Sequence, residues 1–465
     1  MAPTLKAHFL KISFSEFCDR LNYYGLQSLL VLYLIAHFNV STAFSYTVYG
    51  QYVALTFASC ILGGMIADKF LAPYQSVFLG TTCMFMGNLI IIYAVKMNLF
   101  FAGMTLIIVA IGLMKPATST LVGILHNKMS KNNKLFVYFY TLGNIGSILG
   151  PIFYGIGISL QKYWIGFGMS ALILILNMVM LHSTQHRIVK RRGEKRVGAA
   201  AALILPYMII IYLVVAKIVS IFYIFAPAAL FLIGYLYKLF AGYSAVERRN
   251  VGNLWIPLIA SILFFIALLQ VFSSVTIFIN ENVNTTFFGF KLPVTWFSSI
   301  EAISVFIVAA PITYVWQWLG LGGKYGAEIS HVKIAVGLSA TAIAFMLFAV
   351  SVKINLLESH AAILSILFAN FFLSIGELSI IPVSISLISE YAPVRQRNFF
   401  MGIFYFLLSF SGYLSGLIAK ITAQISYQNE SHFEIFFLVI ASAILGVAML
   451  LFALIPFMRI NTSYK

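Results

Sequence analysis

A chain of 465 residues that is 61% hydrophobic and 9% charged is no ordinary soluble globule, where about a quarter of residues are charged; it reads as an all-α polytopic membrane protein. The net charge of +16 invites a nucleic-acid partner, but Lys and Arg concentrate in alternate loops between apolar spans, so the positive-inside rule accounts for them and no nucleic acid is expected. Cys18, Cys60 and Cys83 all fall within predicted spans, which indicates neither a disulfide framework nor a thiolate metal cluster.

Windows of about 19 residues predict apolar helices over 14–37, 47–67, 76–95, 100–125, 135–158, 163–182, 199–219, 222–242, 253–279, 295–318, 332–352, 359–389, 397–424 and 433–457, about fourteen in all. The first is interrupted by Glu16, Asp19 and Arg20 and lacks a cleavage site, so it is a retained helix and not a signal peptide. At about 100° per residue, Glu16, Asp19, Arg20, Tyr23 and Gln27 share one helical face, with Tyr24 at its edge. Charge at membrane depth costs roughly 2.5–3.5 kcal/mol per residue and persists mainly where it faces a cavity. The stripe therefore either moves protons and holds a charged solute, or is an internally neutralised triplet that locks helices together.

Gly63 to Lys69 reads as a loop whose small residues let two helices approach, with Asp68 capping a helix or pairing with a base. In the span at 100–125, Lys115 precedes Pro116. A polar, basic linker over 183–198 then separates an N-terminal six-helix bundle, 1–182, from an accessory hairpin, 199–242, with Lys217 at its turn. A C-terminal six-helix bundle, 243–465, follows. The basic run from His186 to Arg196 is read as a topology signal touching anionic lipid. The loop charges place both termini in the cytoplasm of a plasma membrane, or the inner membrane of a bacterium.

Beyond the first helix, Lys115, Glu301 and Glu377 are the ionisable residues predicted at membrane depth. Glu377 follows Gly376 and precedes Pro382. Prolines in spanning helices free carbonyls that neighbours must satisfy, which makes these natural pivot and cavity positions. Lys115 and Glu377 are read as a cross-half ion pair, either one that opens in one access state or a static buried one. No metal-ligand cluster, phosphate loop or nucleophile elbow is found, so an enzyme is not expected.

Four segments carry a family resemblance: Glu16-x-x-Asp19-Arg20-x-x-Tyr23-Tyr24-Gly25; Gly112-Leu113-Met114-Lys115-Pro116; Phe139-Tyr140-x-x-x-Asn144-x-Gly146-Ser147; and Gly376-Glu377-Leu378-x-x-x-Pro382-Val383. In order and spacing they resemble the proton-dependent oligopeptide transporters, and the Gly63–Lys69 segment is similar to the loop signature of the wider major facilitator superfamily. The resemblance implies two six-helix bundles working by alternating access and the inward coupling of protons to di- and tripeptides. Glu16, Asp19 and Arg20 would then handle the proton; Arg20, Tyr23, Tyr24, Lys115 and Asn144 would bind substrate; and Glu377 would hold the peptide amino terminus. Peptides, protons and the lipid bilayer are the expected partners of a monomer, with the proton as coupling ion and no other cofactor.

Departures from the family pattern are also visible. Asp19 stands for a usual Glu, and Phe57 for a pocket tyrosine. The pattern Phe-Glu-Gln-x-x-Ser-Ser appears as Leu268-Leu269-Gln270-Val271-Phe272-Ser273-Ser274, and Gln27 replaces the base that would pair with its missing acid. Gln27 and Leu269 are thus expected to form a neutral outer gate. Glu301 replaces an asparagine, and either faces the pocket, toward a base or a cationic substrate, or snorkels to the surface. Two alternatives to peptide symport are a same-fold carrier of a modified peptide, amino-acid conjugate or peptide-like drug, and a non-transporting receptor or scaffold.

Overall fold

The computed structural model describes residues 3–128, 134–182, 197–287, 289–319, 327–355, 359–425 and 432–460. Among them thirteen helices are long and apolar enough to cross a membrane, and α1 (Pro3–Phe38), which carries the charged face, is a further long helix. The described chain packs as two units, one of residues 1–221 with 291–299 and one of 222–290 with 300–465. The linker expected over 183–198 lies, up to residue 196, outside the described residues.

The first unit contains α1, α2 (Thr42–Lys69), α3 (Pro73–Ile92), α4 (Met97–Lys128), α5 (Lys134–Ser159), α6 (Trp164–His182) and α7 (Val197–Val215). Helix α1 begins well before residue 14, because its first turns are amphipathic: Leu5, Phe9 and Ile12 pack onto Tyr74, Val77, Leu121, Leu125, Leu135 and Leu181. Lys6, His8 and Lys11 dilute that stripe, which is why an apolar window misses it. The segment Gly63–Lys69, expected as a loop, is instead the last turns of α2. Its glycine serves helix contact: a Cβ on Gly63 would fall on the carbonyl of Gly112 in α4, so the two backbones touch there. Asp68 is exposed in that last turn, and α3 starts without it, on Pro73, with the Gln75 side chain accepting from the Ala72 N–H at 3.0 Å.

The second unit contains α8 (Phe222–Ala241), α9 (Ala245–Gly252), α10 (Trp255–Gln270), α11 (Ser274–Asn282), most of α12 (Trp296–Trp318), α13 (Ala327–Asn355), α14 (Ser359–Tyr391), α15 (Arg397–Ile425) and α16 (His432–Ile460). A short hairpin of β1 (Thr286–Phe287) and β2 (Phe290–Lys291) turns at Gly289, whose φ is 79°. The single span expected over 253–279 is broken between α10 and α11, with Ser273 at φ −128° and ψ −91°. Side chains hold the break: Gln270 donates Nε2 to the Ser415 carbonyl at 3.1 Å and accepts on Oε1 from Ser274 Oγ at 2.6 Å.

The hairpin read as one accessory element over 199–242 is divided in its packing. Tyr207 on α7 hydrogen-bonds Ser59 on α2, whereas Phe225 on α8 stacks against Phe406, Phe410 and Tyr413 on α15. Lys217 occupies the turn between them at φ 58°, its ammonium 4.4 Å from the centre of the Phe44 ring.

Candidate functional site

In the first unit the charged stripe of α1 meets α4 and α5. Glu16 is the better satisfied carboxylate: Oε1 accepts from Arg20 Nε at 2.9 Å and Oε2 from Thr118 Oγ1 at 3.0 Å. Arg20 also donates through Nη1 to Asn144 Oδ1 and lies 5.0 Å from the centre of the Tyr140 ring. Asp19 is fully buried and held more loosely, with Oδ2 3.5 Å from Lys115 Nζ and Oδ1 without a hydrogen-bond partner. Two acids and two bases therefore sit in one cluster, neutral when all four are ionised.

Glycines on α5 make this approach possible. A Cβ on Gly143 would stand 2.9 Å from Arg20 Nε and 3.1 Å from Glu16 Cγ, and one on Gly146 would strike the Phe17 carbonyl. Around the charges the aromatic wall is continuous: Lys115 Nζ is 5.5 Å from the Tyr23 ring centre, and Tyr23 packs edge-on to Tyr24 at 5.0 Å and to Phe57 at 6.3 Å. Gln27, one turn further along, donates Nε2 to the Tyr49 hydroxyl at 3.1 Å.

In the second unit the Glu301 carboxyl on α12 lies beside that of Glu377 on α14. Ser374 Oγ, one turn before Glu377, donates to the Glu301 carbonyl at 3.2 Å and fixes the two helices at this level. Glu301 is 6% exposed and its Oε1 has no hydrogen-bond partner. Leu269, at the end of α10, is buried.

The structure thus gathers Glu16, Asp19, Arg20, Tyr23, Tyr24, Lys115 and Asn144 into one site, and Glu301 and Glu377 into another. One expectation changes and one alternative is decided. Lys115, expected to pair with Glu377, reaches on its long stem to Asp19 on α1 at 3.5 Å. Of the two alternatives left open for Glu301, snorkelling to the surface is not what the structure shows, because its carboxyl is buried in the helix packing beside Glu377. Thr118 and Gly143 are functional positions the sequence reading passed over. Both carried a signal: Thr118 is one turn from Lys115 on the same face, and Gly143, Gly146 and Gly150 form a small-residue stripe at helical spacing.

The chain is 26% identical over 410 residues to an uncharacterized transporter, YclF, of Bacillus subtilis, which covers 82% of this chain and 80% of that one. It is 26% identical over 453 residues to a di-/tripeptide transporter of Lactococcus lactis, covering 90% and 89% of the two chains. A crystal structure of tetrameric PepTSo2 superposes with a TM-score of 0.81 at 19% identity, over 99% of this chain and all of that one, so the fold is that of a peptide transporter of known structure. The sequence profile of the POT family matches residues 74–435, well over half of the chain, and this protein belongs to the POT family.

Proposed function

We propose that this chain is a proton-coupled symporter that imports di- and tripeptides by alternating access, working as a single chain in the plasma membrane with both termini in the cytoplasm. The observation that carries the reading is the charge-balanced cluster of Glu16, Asp19, Arg20 and Lys115. One proton added to Asp19, the less satisfied acid, leaves the cluster with a net positive charge, and a peptide carboxylate restores neutrality. Proton and substrate then favour one another's binding through electrostatics alone. Glu377 in the second unit is an acid suited to a peptide's ammonium, as the family resemblance implies, and the tyrosines of the first unit offer tolerant apolar contact to varied side chains. The family match and the relatives named as peptide transporters support the substrate class.

Proteoliposome uptake of labelled dialanine with an imposed inward proton gradient tests the proposal. Accumulation above the outside concentration that collapses when the gradient is dissipated is the expected result. Uptake indifferent to the gradient, or absent for every di- and tripeptide in a small panel, would reject it.

A further inference from the structure

Helix α1 carries a second polar face, made without charge. Ser15 and Asn22 on it are fully buried and lie two turns apart, about a third of a turn around the helix from the charged stripe. Ser15 Oγ donates to Asn177 Oδ1 on α6 at 3.0 Å, and Asn177 Nδ2 donates to Thr81 Oγ1 on α3 at 3.1 Å. A second chain leaves from Asn22: its Oδ1 accepts from Asn88 Nδ2 on α3 at 2.8 Å, and Asn88 Oδ1 accepts from the Tyr154 hydroxyl on α5 at 3.2 Å. Each amide is oriented by a backbone carbonyl that only its nitrogen can serve. Asn88 Nδ2 also donates to the Met84 carbonyl at 2.8 Å, and Asn22 Nδ2 to the Cys18 carbonyl at 2.9 Å. That Cys18 carbonyl belongs to the peptide bond whose nitrogen is Asp19's. The Tyr154 ring closes the chain against α1, where a Cβ on Gly25 would stand 2.5 Å from its Cε2.

We propose that Asn22, Asn88 and Tyr154 are positioning residues for proton coupling: their hydrogen-bonded chain fixes the rotation of α1 about its axis and so holds the Asp19 carboxylate in its open, 3.5 Å contact with Lys115. The inference rests on the proton-coupled transport reading and adds to it residues that touch neither proton nor peptide. Side-chain hydrogen bonds between membrane helices add little net stability, because separated helices find other partners in the bilayer. What they supply is direction. Apolar packing tolerates a small rotation of a helix, whereas Asn88, bonded at once to Asn22, Met84 and Tyr154, does not. Rotation matters most at Asp19, whose Oδ1 has no hydrogen-bond partner and whose Oδ2 has one long contact. Glu16 and Arg20 reach Thr118 and Asn144 on longer stems, which can follow a turning helix and therefore do not fix it.

Two measurements on the full chain in proteoliposomes test the assignment: accumulation of dialanine under an inward proton gradient, and exchange of labelled for unlabelled dialanine without one. Tyr154→Phe removes one hydroxyl and keeps the ring over Gly25, and Asn88→Leu removes the middle of the chain at similar volume. Both are expected to lose most of the accumulation while exchange stays near the parent's. Added to Asp19→Asn, Tyr154→Phe is expected to change nothing further, because it acts through that carboxylate. Accumulation and exchange that fall in proportion, together with the melting temperature in detergent, would mark a merely structural role and overturn the proposal. Parent-like accumulation in Tyr154→Phe overturns it as well, and that variant decides alone where Asn88→Leu does not fold. So does a further loss of exchange in the double variant. Each of these leaves the transport reading standing, whereas a parent that accumulates no di- or tripeptide overturns that reading and the positioning role with it.

Discussion

The two ionisable sites of this protein are opposites. In the first unit, Glu16 and Asp19 are matched by Arg20 and Lys115, each acid with a base within 3.5 Å. In the second, Glu301 and Glu377 face one another, with no described base acting on Glu301. The first site is neutral when everything is ionised, and a proton unbalances it. The second sets like charges side by side, and a cation brought to it relieves them. Acid pairs and ion pairs thus make a proton mean different things in the two halves of one chain, and the same substitution, carboxylate to amide, is expected to act oppositely on stability.

The largest effect is expected from Arg20→Gln. It leaves Glu16 buried without its base, at a cost of about 3–5 kcal/mol, so thermal unfolding in detergent should show a large drop and proteoliposome uptake should be lost. A variant as stable as the parent would mean that the cluster is not held by charge pairing. Asp19→Asn comes next: it should abolish acid-driven accumulation while peptide exchange across the membrane continues, because the proton acceptor is gone but the cavity is not. Accumulation as steep as the parent's would move the proton to Glu16.

Gly146→Ala sharpens the comparison from the packing side. The added methyl meets the Phe17 carbonyl, and forcing α1 and α5 apart should cost about 1–3 kcal/mol, read as a lower melting temperature together with weakened uptake. Glu377→Gln should instead leave the melting temperature unchanged or raised, since it removes like-charge repulsion, while affinity for a peptide with a free amino group falls in a binding assay. A Glu377→Gln protein that unfolds as readily as Arg20→Gln would erase the contrast between the sites. Smallest is Gln27→Leu, which gives up one neutral hydrogen bond to Tyr49, worth about 1 kcal/mol. Its uptake should depend on salt as weakly as the parent's, measured across a range of ionic strength.

Much of this was legible in the chain because it is written in local spacing. The charged stripe of α1 follows from helical periodicity, and the prolines beside Lys115 and Glu377 mark irregular helices wherever they occur. What was not legible depends on partners far apart in sequence. That Lys115 meets Asp19 is a matter of how α4 crosses α1, and that Glu301 meets Glu377 depends on Ser374 holding α12 to α14. The Gly63 segment misled because glycine serves turns and helix crossings alike, and only the neighbouring carbonyl of Gly112 decides between them. The break after Gln270 was hidden inside an apolar run, since its cause is a side-chain bond to Ser415 on another helix.

That crossing of α2 on α4 has a practical consequence. Ser59 lies against Gly112 and bonds Tyr207 on α7, and Lys115 follows Gly112 by one helical turn. A short mechanical linkage therefore runs from the accessory helix to the charged cluster through backbone that has no slack. A fluorophore or spin label on the outer face of α7 would act as a remote gauge of Lys115, reporting its movements from a position no substrate needs to reach.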